Sequence, residues 1–580
     1  MNQHPSIPAL RRLLPWLGLL AAALLACGPF LSGGVWHGSD LGYHLRRIEN
    51  IAMGLADGQF PVRIQSDWLL GNGYAVGVFY GDLLLYAPAL LRLAGVPVTI
   101  AYDLYLFAVT LLTAWGGYYA ARRLALPRAA AFGAAALYTL AAYRLCDVTD
   151  RAALGEYTAL AFLPLAAAGF WRTLHPDAAR LPGAALLVLG LSGVLQSHLL
   201  SFEMTVFCLC AAALVLARAT FRRAALLRLT GAAGVFCLLN AGFLVPLLDY
   251  YLTGKFQINQ PGGVEPIQQN GAALGQLLGV GYTLAAGQQQ DLVADMALTP
   301  GPALLLGAAL AAGAAVWQLV RRRVGMPTAA CLGAVAAGAF CLALSSNLFP
   351  WDALYALGGT ARRLVGSLQF PWRFLGPACL LLAGAVGAGL ALLPGRGRAV
   401  VTAALCLLAA VNAGAQLQQY TATAAPESYY RGTEEPFWPM SCGHYLPAEN
   451  GPTDTAALLT APVWADGIQL TAFDKQGTRV TATAANTSDV DAWVRLPLLW
   501  YKGYTARDAA TGEVLALSCG ENNTVTVTLA PGYSGSFTVS FREPWYWRTA
   551  EALSLLTVLA GAGWLAVRSG RRTGDDDGSR

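Results

Sequence analysis

Charged residues are scarce in this chain. Asp, Glu, Lys and Arg make up 12% of its 580 residues, whereas soluble domains usually carry about 25%. Several catalytic motifs are missing too: there is no Walker A loop, no GxGxxG after a strand, no HExxH and no GxSxG. ATP-driven transport, nicotinamide chemistry and zinc proteolysis therefore have no support. No concentrated basic and aromatic surface is present either, so we expect no nucleic-acid partner.

Cysteine contributes little chemistry. The 11 cysteines form neither a CxxC motif nor a Cys/His cluster with zinc spacing. Most of them lie in apolar stretches, where cysteine acts as a small packing residue. Cys442 and Cys519 lie in the polar C-terminal region and could pair, but spacing alone does not decide it.

Long apolar stretches dominate what is present. Hydrophobic residues make up 56% of the chain, and its mean hydropathy is +0.48. The first stretch, Leu13–Phe30, follows Arg11 and Arg12 as a signal peptide would, but no cleavage site with a soluble chain follows, so we interpret it as a retained anchor. The pattern predicts a polytopic α-helical membrane protein with about 12 spans. These lie near residues 13–31, 98–120, 129–143, 158–171, 182–196, 200–217, 229–249, 298–319, 328–346, 374–394, 399–415 and 548–567.

Basic clusters assign the two sides of the membrane, because cytoplasmic loops carry an excess of Lys and Arg. An even number of crossings must join neighbouring clusters, which makes the interrupted stretch 76–94 an interfacial or re-entrant helix. The outer face then receives residues 33–97, 143–157, 251–297, 347–373 and 416–547. The clusters lie at Arg11–Arg12, Arg122–Arg128, Arg172, Arg218–Arg228, Arg321–Arg323, Arg396–Arg398 and Arg568–Arg572.

These boundaries predict four parts. A membrane module covers 1–415 with a large first outer loop at 33–97, an extracytoplasmic β-rich domain covers 416–547, a final span covers 548–567, and a disordered cytoplasmic tail covers 568–580. The second part is expected to be a small β-sandwich, because apolar residues alternate with Ser and Thr there. The alternating apolar positions are Val525, Val527, Leu529, Phe537, Val539 and Phe541.

The first outer loop predicts an amphipathic helix. Ser39 is a plausible N-cap, and Asp40, His44 and Arg47 then share one face, since they lie 4 and 3 residues apart. Asp40 could act as a general base or hold a divalent cation, and His44 could join either role. The alternative is an interfacial helix whose polar side is only solvated. An apolar face carries Leu41, Leu45, Ile48 and Ala52.

A second polar group lies between two predicted spans. Arg151 could grip a phosphate with its guanidinium, while Asp147 or Glu156 could bind a metal or sugar hydroxyls. The alternative is an ordinary i,i+4 pair of Asp147 with Arg151. His198 and Arg373 are further candidates. For Arg373, on the outer side against the charge trend, either an anionic lipid headgroup or a structural carboxylate would be a partner.

These pieces, in this order, resemble the GT-C class of membrane glycosyltransferases, and within it the bacterial YfhO-like family, also labelled pyruvoyl-tetrahydropterin-synthase-related. The resemblance runs through about residues 10–567. It is carried by Asp40 with His44 and Arg47, Gly58-Gln-Phe-Pro-Val-Arg63, Asp150-Arg-Ala-Ala-Leu-Gly-Glu156, Ser197-His-Leu-Leu-Ser201, Phe243-Leu-Val-Pro-Leu-Leu-Asp249, Gln369-Phe-Pro-Trp-Arg-Phe374 and Leu496-Pro-Leu-Leu-Trp-Tyr-Lys-Gly-Tyr504.

The resemblance implies an inverting enzyme in the bacterial cytoplasmic membrane, with its active site on the outer face. It implies a polyprenyl-phosphate sugar donor and a cell-envelope glycopolymer or glycolipid as acceptor. Asp40 takes the catalytic or metal-linked role, and His44, Arg47, Arg151, Glu156, His198 and Arg373 are expected to bind substrate. A divalent cation, Mg or Mn, would be held by Asp40, Asp147 and Glu156. Ser39 stands where relatives often carry a second acid, so the resemblance alone does not establish that the enzyme depends on a metal. His444 stands where relatives commonly carry Glu, and no role is carried over to it.

Two other functions stay open at this point. A transporter or flippase of lipid-linked saccharides would also have about twelve spans, often as two related halves, which the sequence does not show. A non-catalytic envelope assembly protein would use its outer β-rich domain and would not need Asp40.

Overall fold

The computed structural model describes residues 7–32, 34–36, 38–177, 179, 181–259, 267–279, 296–423, 429–431 and 443–577. The predicted outer segment 251–297 lies partly outside these residues. Cys442, considered from the sequence as a partner for Cys519, also lies outside them. The chain folds as two compact units. The first unit comprises Met1–His44, Thr99–Phe236 and Gly262–Pro436, and the second comprises Leu45–Val98, Cys237–Pro261 and Phe437–Arg580.

Most of the chain is helical. In chain order the helices are α1 Ile7–Ala26, α2 Leu41–Ala56, α3 Val76–Phe79, α4 Tyr86–Leu93, α5 Val98–Arg123, α6 Arg128–Thr139, α7 Ala142–Val148, α8 Leu154–Leu174, α9 Gly183–Leu195, α10 Leu199–Val215, α11 Ala217–Thr220, α12 Arg223–Leu239, α13 Ala241–Thr253, α14 Leu274–Leu278, α15 Pro302–Val320, α16 Met326–Ser345, α17 Trp351–Ala356, α18 Gly359–Ser367, α19 Leu375–Leu392, α20 Gly395–Thr423 and α21 Trp545–Asp577.

Six helices in the described part of the chain are long and apolar enough to cross a membrane, and up to eight spans result if each of two bent helix pairs counts as one. The six are α5, α15, α16, α19 with the short turn before it, α20 and α21; the bent pairs are α6 with α7 and α12 with α13. α1, α4, α9 and α10 contain shorter apolar stretches. The chain is therefore a multi-pass membrane protein, and the finer figure of about 12 spans stays a prediction.

The stretch 76–94 is broken, as Gly77, Gly81, Asp82 and Pro88 predict. It forms the short helices α3 and α4 with a 3₁₀ turn at Leu83–Leu85 between them. α2 confirms the predicted amphipathic helix: Leu41, Leu45 and Ile48 are at most 1% exposed. The helix begins after Asp40, and the Ser39 hydroxyl donates to the Asp150 carbonyl at 3.3 Å instead of capping it.

The core of the first unit lies among α6, α8, α15, α19 and α20. Small residues set how closely its helices approach. A Cβ added to Gly190 of α9 would lie 2.4 Å from the Ala166 nitrogen of α8, and one added to Gly169 of α8 would lie 2.3 Å from the Leu187 nitrogen of α9. Glycine is needed at both positions because the obstacle is backbone, which cannot move aside as a side chain does.

In the second unit, the described strands of the C-terminal region form one eight-stranded antiparallel sheet in the order β3-β6-β9-β8-β7-β10-β5-β4. The register of β4 against β5 shifts between Leu470 and Ala472. The strands are β3 Val463–Trp464, β4 Ile468–Gln476, β5 Arg479–Asn486, β6 Ala492–Leu499, β7 Tyr504–Asp508, β8 Val514–Cys519, β9 Thr524–Leu529 and β10 Ser534–Phe541. In the first unit, Gly34–Trp36 (β1) pairs with Tyr429–Arg431 (β2).

The predicted alternation of buried and less buried residues holds in β10 but not in β9. Val525, Val527 and Leu529 of β9 and Phe537 and Val539 of β10 are all fully buried. Thr524 and Thr526 are buried as well, so β9 is buried on both faces and is not the half-buried strand that the alternation predicts. The β-rich region is therefore present, while its description as a sandwich and the four-part domain division stay predictions.

The start of the last helix, α21, is held by hydrogen bonds within the second unit. Asp249 of α13 accepts hydrogen bonds from Lys502 at 2.8 Å, Tyr546 at 2.6 Å and the Trp547 indole at 2.9 Å. Trp547 is fully buried, whereas tryptophans next to a span usually lie at the membrane surface. Only Trp545 of the two tryptophans is exposed, at 76%. α21 then continues to Asp577, beyond the predicted end of the span at residue 567.

We predict that Gly190→Ala destabilises the protein, because its methyl group meets the backbone of α8. Overpacking of this kind typically costs about 1–3 kcal/mol. Gly234→Ala in α12 is the matched control, since nothing lies within 4 Å of its added Cβ and alanine favours a helix. Thermal unfolding in detergent measures both, and a Tm for Gly190→Ala equal to that of Gly234→Ala would contradict the prediction.

Candidate active site

A buried turn carries most of the site residues predicted from the sequence. It joins α7 to α8 and is closed by main-chain bonds: Arg151 N–H donates to the Cys146 carbonyl at 3.1 Å and Ala153 N–H to the Asp147 carbonyl at 2.8 Å. Ala152 adopts a left-handed conformation with a φ of 47°. Such backbone strain persists only where neighbouring contacts hold it, and it is concentrated at functional sites.

Arg151 binds two buried acids. One guanidinium nitrogen pairs with Asp147, and the other donates to Glu156 at 2.9 Å. Asp147 and Glu156 are 0% and 2% exposed, and Arg151 is 6% exposed. The i,i+4 pair considered from the sequence is therefore present, but in the interior, where charge-assisted hydrogen bonds are strong and an unpaired charge is costly.

Tyr143 completes this network. Its hydroxyl donates to Glu156 at 2.5 Å and accepts from Arg151 at 3.0 Å, and the side chain is fully buried. Tyr143 was not among the residues predicted from the sequence. No spacing rule would find it, because it lies 13 residues from Glu156 along the chain and reaches that carboxylate only through the fold.

Arg373 approaches the same carboxylate from the segment before α19. Its Nε lies 3.4 Å from a Glu156 oxygen, and its Nη1 donates to the Gln369 side chain at 3.0 Å. Of the two partners considered for Arg373, the structure provides the carboxylate. The contact is long, and Nε has no acceptor in hydrogen-bond geometry among the described residues. The Arg373 guanidinium therefore forms fewer hydrogen bonds than that of Arg151.

Asp40 is attached to this turn by main-chain bonds. The N–H groups of Ser39 and Asp40 donate to the carbonyls of Asp150 and Arg151 at 3.0 and 2.8 Å. Gly38 permits this approach, because a Cβ there would lie 2.7 Å from the Thr149 carbonyl oxygen. The position of Asp40 therefore depends on the backbone of the turn that carries Arg151.

The Asp40 carboxylate is accessible but surrounded by protein. Its side chain is exposed, yet desolvation by the surrounding atoms raises its pKa, an effect that the nearby Glu156 reinforces and the positive charges of Arg151 and Arg373 oppose. An accessible carboxylate with a raised pKa is suited to accept a proton from a bound hydroxyl group, because it binds that proton more tightly than an ordinary aspartate does.

The other predicted residues have structural partners. His198 caps α10, where its Nδ1 accepts from the Ser201 N–H at 3.2 Å, and it interacts electrostatically with Glu156. His44 is 3% exposed and lies against the Tyr43 ring. Arg47 belongs to the second unit, where it is 1% exposed and paired with Asp82. The solvated helix face considered as an alternative is thus wrong for His44 and Arg47, while the substrate-binding role of all three stays a prediction.

One cation near the turn was not selected from the sequence. Arg144 is fully buried, with its guanidinium 4.4 Å from the centre of the Tyr157 ring and 5.4 Å from that of Tyr138. None of its guanidinium nitrogens has an acceptor in hydrogen-bond geometry among the described residues. Its charge acts on Asp147, so two cations compensate that buried acid.

The arrangement of the acids does not fit a divalent cation. Asp147 and Glu156 both pair with Arg151, whose charge occupies the place that a metal would take. In the described part of the chain, no group of three or more His, Cys, Asp or Glu residues is placed to hold a metal ion. We therefore derive no catalytic step through a metal.

Comparison with known proteins yields structures only. No family model matches the chain, and no curated protein sequence does. The arabinofuranosyltransferase AftD from Mycobacteria is similar over 69% of this chain and 26% of its own, with 17% identity and a TM-score of 0.43. The oligosaccharyltransferase of Archaeoglobus fulgidus is similar over 74% of this chain and 62% of its own, with 12% identity and a TM-score of 0.36.

ArnT from Cupriavidus metallidurans, bound to undecaprenyl phosphate, is similar over 65% of this chain and 77% of its own, with 14% identity and a TM-score of 0.28. These neighbours are GT-C glycosyltransferases, the class that the sequence resembles, whereas the YfhO-like family stays a prediction. This chain spans about a quarter of the AftD chain. At such low TM-scores the similarity assigns neither fold family nor substrate.

We predict that Arg151→Gln destabilises the protein strongly, since it leaves Asp147 and Glu156 buried without their main cation. Breaking a buried pair typically costs about 3–5 kcal/mol. Arg495→Gln is the control, because the Arg495–Glu521 pair lies at the surface, with Glu521 79% exposed, and such pairs contribute about 0–1 kcal/mol. Denaturation of the two variants in the same detergent compares them; equal Tm values would argue against the buried network as a stabilising element.

Proposed function

We propose that this chain is a membrane glycosyltransferase that moves a sugar from a polyprenyl-phosphate donor to an envelope glycopolymer or glycolipid on the outer face of the bacterial cytoplasmic membrane. The observation that carries the proposal is Asp40: an accessible carboxylate with a raised pKa, fixed by main-chain bonds beside the guanidinium groups of Arg151 and Arg373. A base next to cations is what transfer from an anionic donor to a hydroxyl group requires.

In the proposed reaction, Asp40 takes the proton of an acceptor hydroxyl as that oxygen attacks the anomeric carbon. The new carbon–oxygen bond forms as the bond from the anomeric carbon to the phosphate oxygen breaks. The electron pair of the broken bond leaves with the polyprenyl phosphate. Attack on the side opposite the phosphate inverts the configuration at that carbon, in keeping with an inverting enzyme.

We assign the phosphate to Arg373 in preference to Arg151. The Arg151 guanidinium is already engaged by Asp147, Glu156 and Tyr143. Arg373 has one hydrogen bond to Gln369 and a 3.4 Å contact to Glu156, which leaves capacity for a phosphate oxygen. Arg151 then positions the turn, and Glu156 orients both arginines. His44, Arg47 and His198 remain proposed contributors to substrate binding. The Mg or Mn predicted from the sequence has no part in the proposed mechanism, because Arg151 already pairs with Asp147 and Glu156.

The donor chemistry is consistent with a membrane location. A polyprenyl chain is insoluble in water, so its phosphate is presented at the bilayer surface. Two alternatives, a flippase of lipid-linked saccharides and a non-catalytic assembly protein, do not require a base of raised pKa. For this reason we favour the enzyme, and the experiment below tests it against both alternatives.

We predict that Asp40→Asn lowers sugar transfer in proteoliposomes by about 10²–10⁴-fold, the usual contribution of a general base. Asp57→Asn is the matched control, because Asp57 is an exposed acid in the same predicted loop. The donors are a panel of radiolabelled polyprenyl-phosphate sugars, with envelope polymer as acceptor. Equal rates for the two variants would remove Asp40 from the mechanism. Failure of the wild-type protein with every donor would favour the flippase or assembly protein.

We further predict the pH dependence of kcat/KM. The base is active when ionised, so the rate falls as pH drops through the pKa of Asp40, and desolvation moves this acid limb above the value of about 3.9 for a free aspartate. Arg373→Gln removes a positive charge that lowers the pKa of Asp40. The acid limb of the pH profile should therefore move to higher pH, and the rate should fall. Arg495→Gln, far along the chain in β6, serves as the control. An unchanged limb in Arg373→Gln would show that the group that titrates is not Asp40.

A further inference from the structure

A short helical hairpin, residues 347–370, connects two apolar helices of the first unit. It consists of α17 and α18, joined at Gly358 and Gly359, which have φ angles of 71° and 54°. Glycine adopts these left-handed angles without a steric penalty, so the chain can reverse in a tight turn. We refer to residues 347–370 as the α17–α18 hairpin.

The hairpin is fixed to the ends of both apolar helices. Trp351, which is 6% exposed, donates its indole N–H to the carbonyl of Leu344 in α16 at 2.9 Å. Its ring stacks on Phe374, just before α19, with 5.8 Å between ring centres. α16 and α19 are both long and apolar enough to cross a membrane. A hairpin held directly on their ends must lie at the depth of the bilayer surface.

The basic clusters assign the side. Arg321–Arg323 precede α16 and Arg396–Arg398 follow the start of α20, at the opposite ends of α16 and α19 from the hairpin. The positive-inside rule places those clusters in the cytoplasm and so puts the hairpin on the outer side. Two further arginines in the hairpin, Arg362 and Arg363, run against that rule and need a partner of their own.

The solvent-facing side of α18 presents both of these arginines. Val365 and Leu368 form its buried side, while Arg362 and Arg363 are exposed. Neither guanidinium forms an ion pair with any residue that the structure describes; Arg362 lies 4.7 Å from the centre of the Tyr355 ring. The one acid of the hairpin, Asp352, accepts from the backbone N–H of Gln268 at 3.0 Å.

The same hairpin exposes large apolar side chains. Leu348, Leu357 and Leu364 are 68%, 74% and 56% exposed. In water such an arrangement would be unfavourable for the leucines, whereas in the headgroup region of a bilayer leucines enter the acyl chains and arginines reach the phosphates.

We propose that the α17–α18 hairpin lies in the headgroup region of the outer leaflet and that Arg362 and Arg363 bind the phosphate of an anionic phospholipid. A hairpin that exposes leucines together with two arginines without ion-pair partners among the described residues matches the bilayer surface, where acyl chains lie below negatively charged headgroups. Because the pair is on the exposed surface of the hairpin, it meets the bulk phospholipid, whereas the buried Arg373 is assigned to the donor. The inference does not depend on the proposed enzymatic activity.

The test measures the phospholipid that the full-length protein retains. Protein in nanodiscs of equal parts phosphatidylglycerol and phosphatidylcholine is released, and bound lipids are counted by native mass spectrometry. We expect wild type to retain phosphatidylglycerol preferentially and the double variant Arg362→Gln/Arg363→Gln to lose about 5-fold or more of that preference. Nanodiscs expose both leaflets, so the result does not depend on how the protein is oriented.

Two control proteins make the outcome specific. Arg479→Gln/Arg507→Gln removes the same charge from two exposed arginines of the C-terminal sheet and should retain the wild-type preference. Arg362→Lys/Arg363→Lys keeps the charge and should retain most of it. An unchanged preference in the glutamine variant, or an equal loss in the sheet variant, would overturn the proposal. In a second set of nanodiscs that also contains undecaprenyl phosphate, a loss of retained undecaprenyl phosphate with phosphatidylglycerol unchanged would overturn the proposal in favour of the donor lipid.

Discussion

The candidate site depends on one buried cation. Arg151 neutralises Asp147 and Glu156 through its side chain, and its carbonyl accepts the N–H of Asp40. The side chain and the main chain of Arg151 therefore have separate roles. The guanidinium stabilises two acids whose burial would be costly without a cation, and the carbonyl positions Asp40, the proposed base. This explains why the strained turn at Ala152 persists: the contacts on both sides of it are stronger than the cost of its conformation.

The electrostatic balance of the site follows from this arrangement. Asp40, Asp147 and Glu156 interact with Arg144, Arg151 and Arg373, and the formal charges of these six side chains sum to zero. Of these three acids only Asp40 is accessible. Of the three cations Arg373 is the most exposed, at 9%, whereas Arg144 is fully buried. The buried charged side chains set the local electrostatic potential. Asp40 and Arg373, which are left to bind substrate in the proposed mechanism, have opposite charges. A carboxylate can accept a hydrogen bond from a hydroxyl group, and a guanidinium can bind a phosphate.

Much of this arrangement follows from patterns visible in the sequence. The apolar stretches predict the spanning helices, the spacing of Leu41, Leu45 and Ile48 predicts α2, and the alternation in β9 and β10 predicts the sheet. Asp40, Arg151 and Glu156 could be selected because charge is rare and these residues stand at the ends of apolar stretches. Periodicity could not show that His44 and Arg47 are buried, since it identifies the faces of a helix and not what packs against them.

Other features depend on tertiary contacts that no local pattern encodes. Tyr143 and Glu156 meet only because α7 and α8 fold back on each other, and Arg373 reaches Glu156 from a segment more than 200 residues away along the chain. Trp547 is of a residue type that usually lies at the membrane surface. Here its side chain is fully buried, and its indole N–H donates to Asp249. Bilayer statistics describe an average interface, whereas one well-placed acceptor decides the position of a particular tryptophan.

The C-terminal sheet has one further consequence. Its edge strands are β3, with two residues, and β4, in which the register shifts between Leu470 and Ala472. Regular, long strand edges act as templates for pairing with other chains, and membrane-anchored proteins meet their own copies often because they move in two dimensions. A very short edge on one side and a bulge on the other limit such pairing. The sheet is thus protected against aggregation at the crowded surface of a membrane.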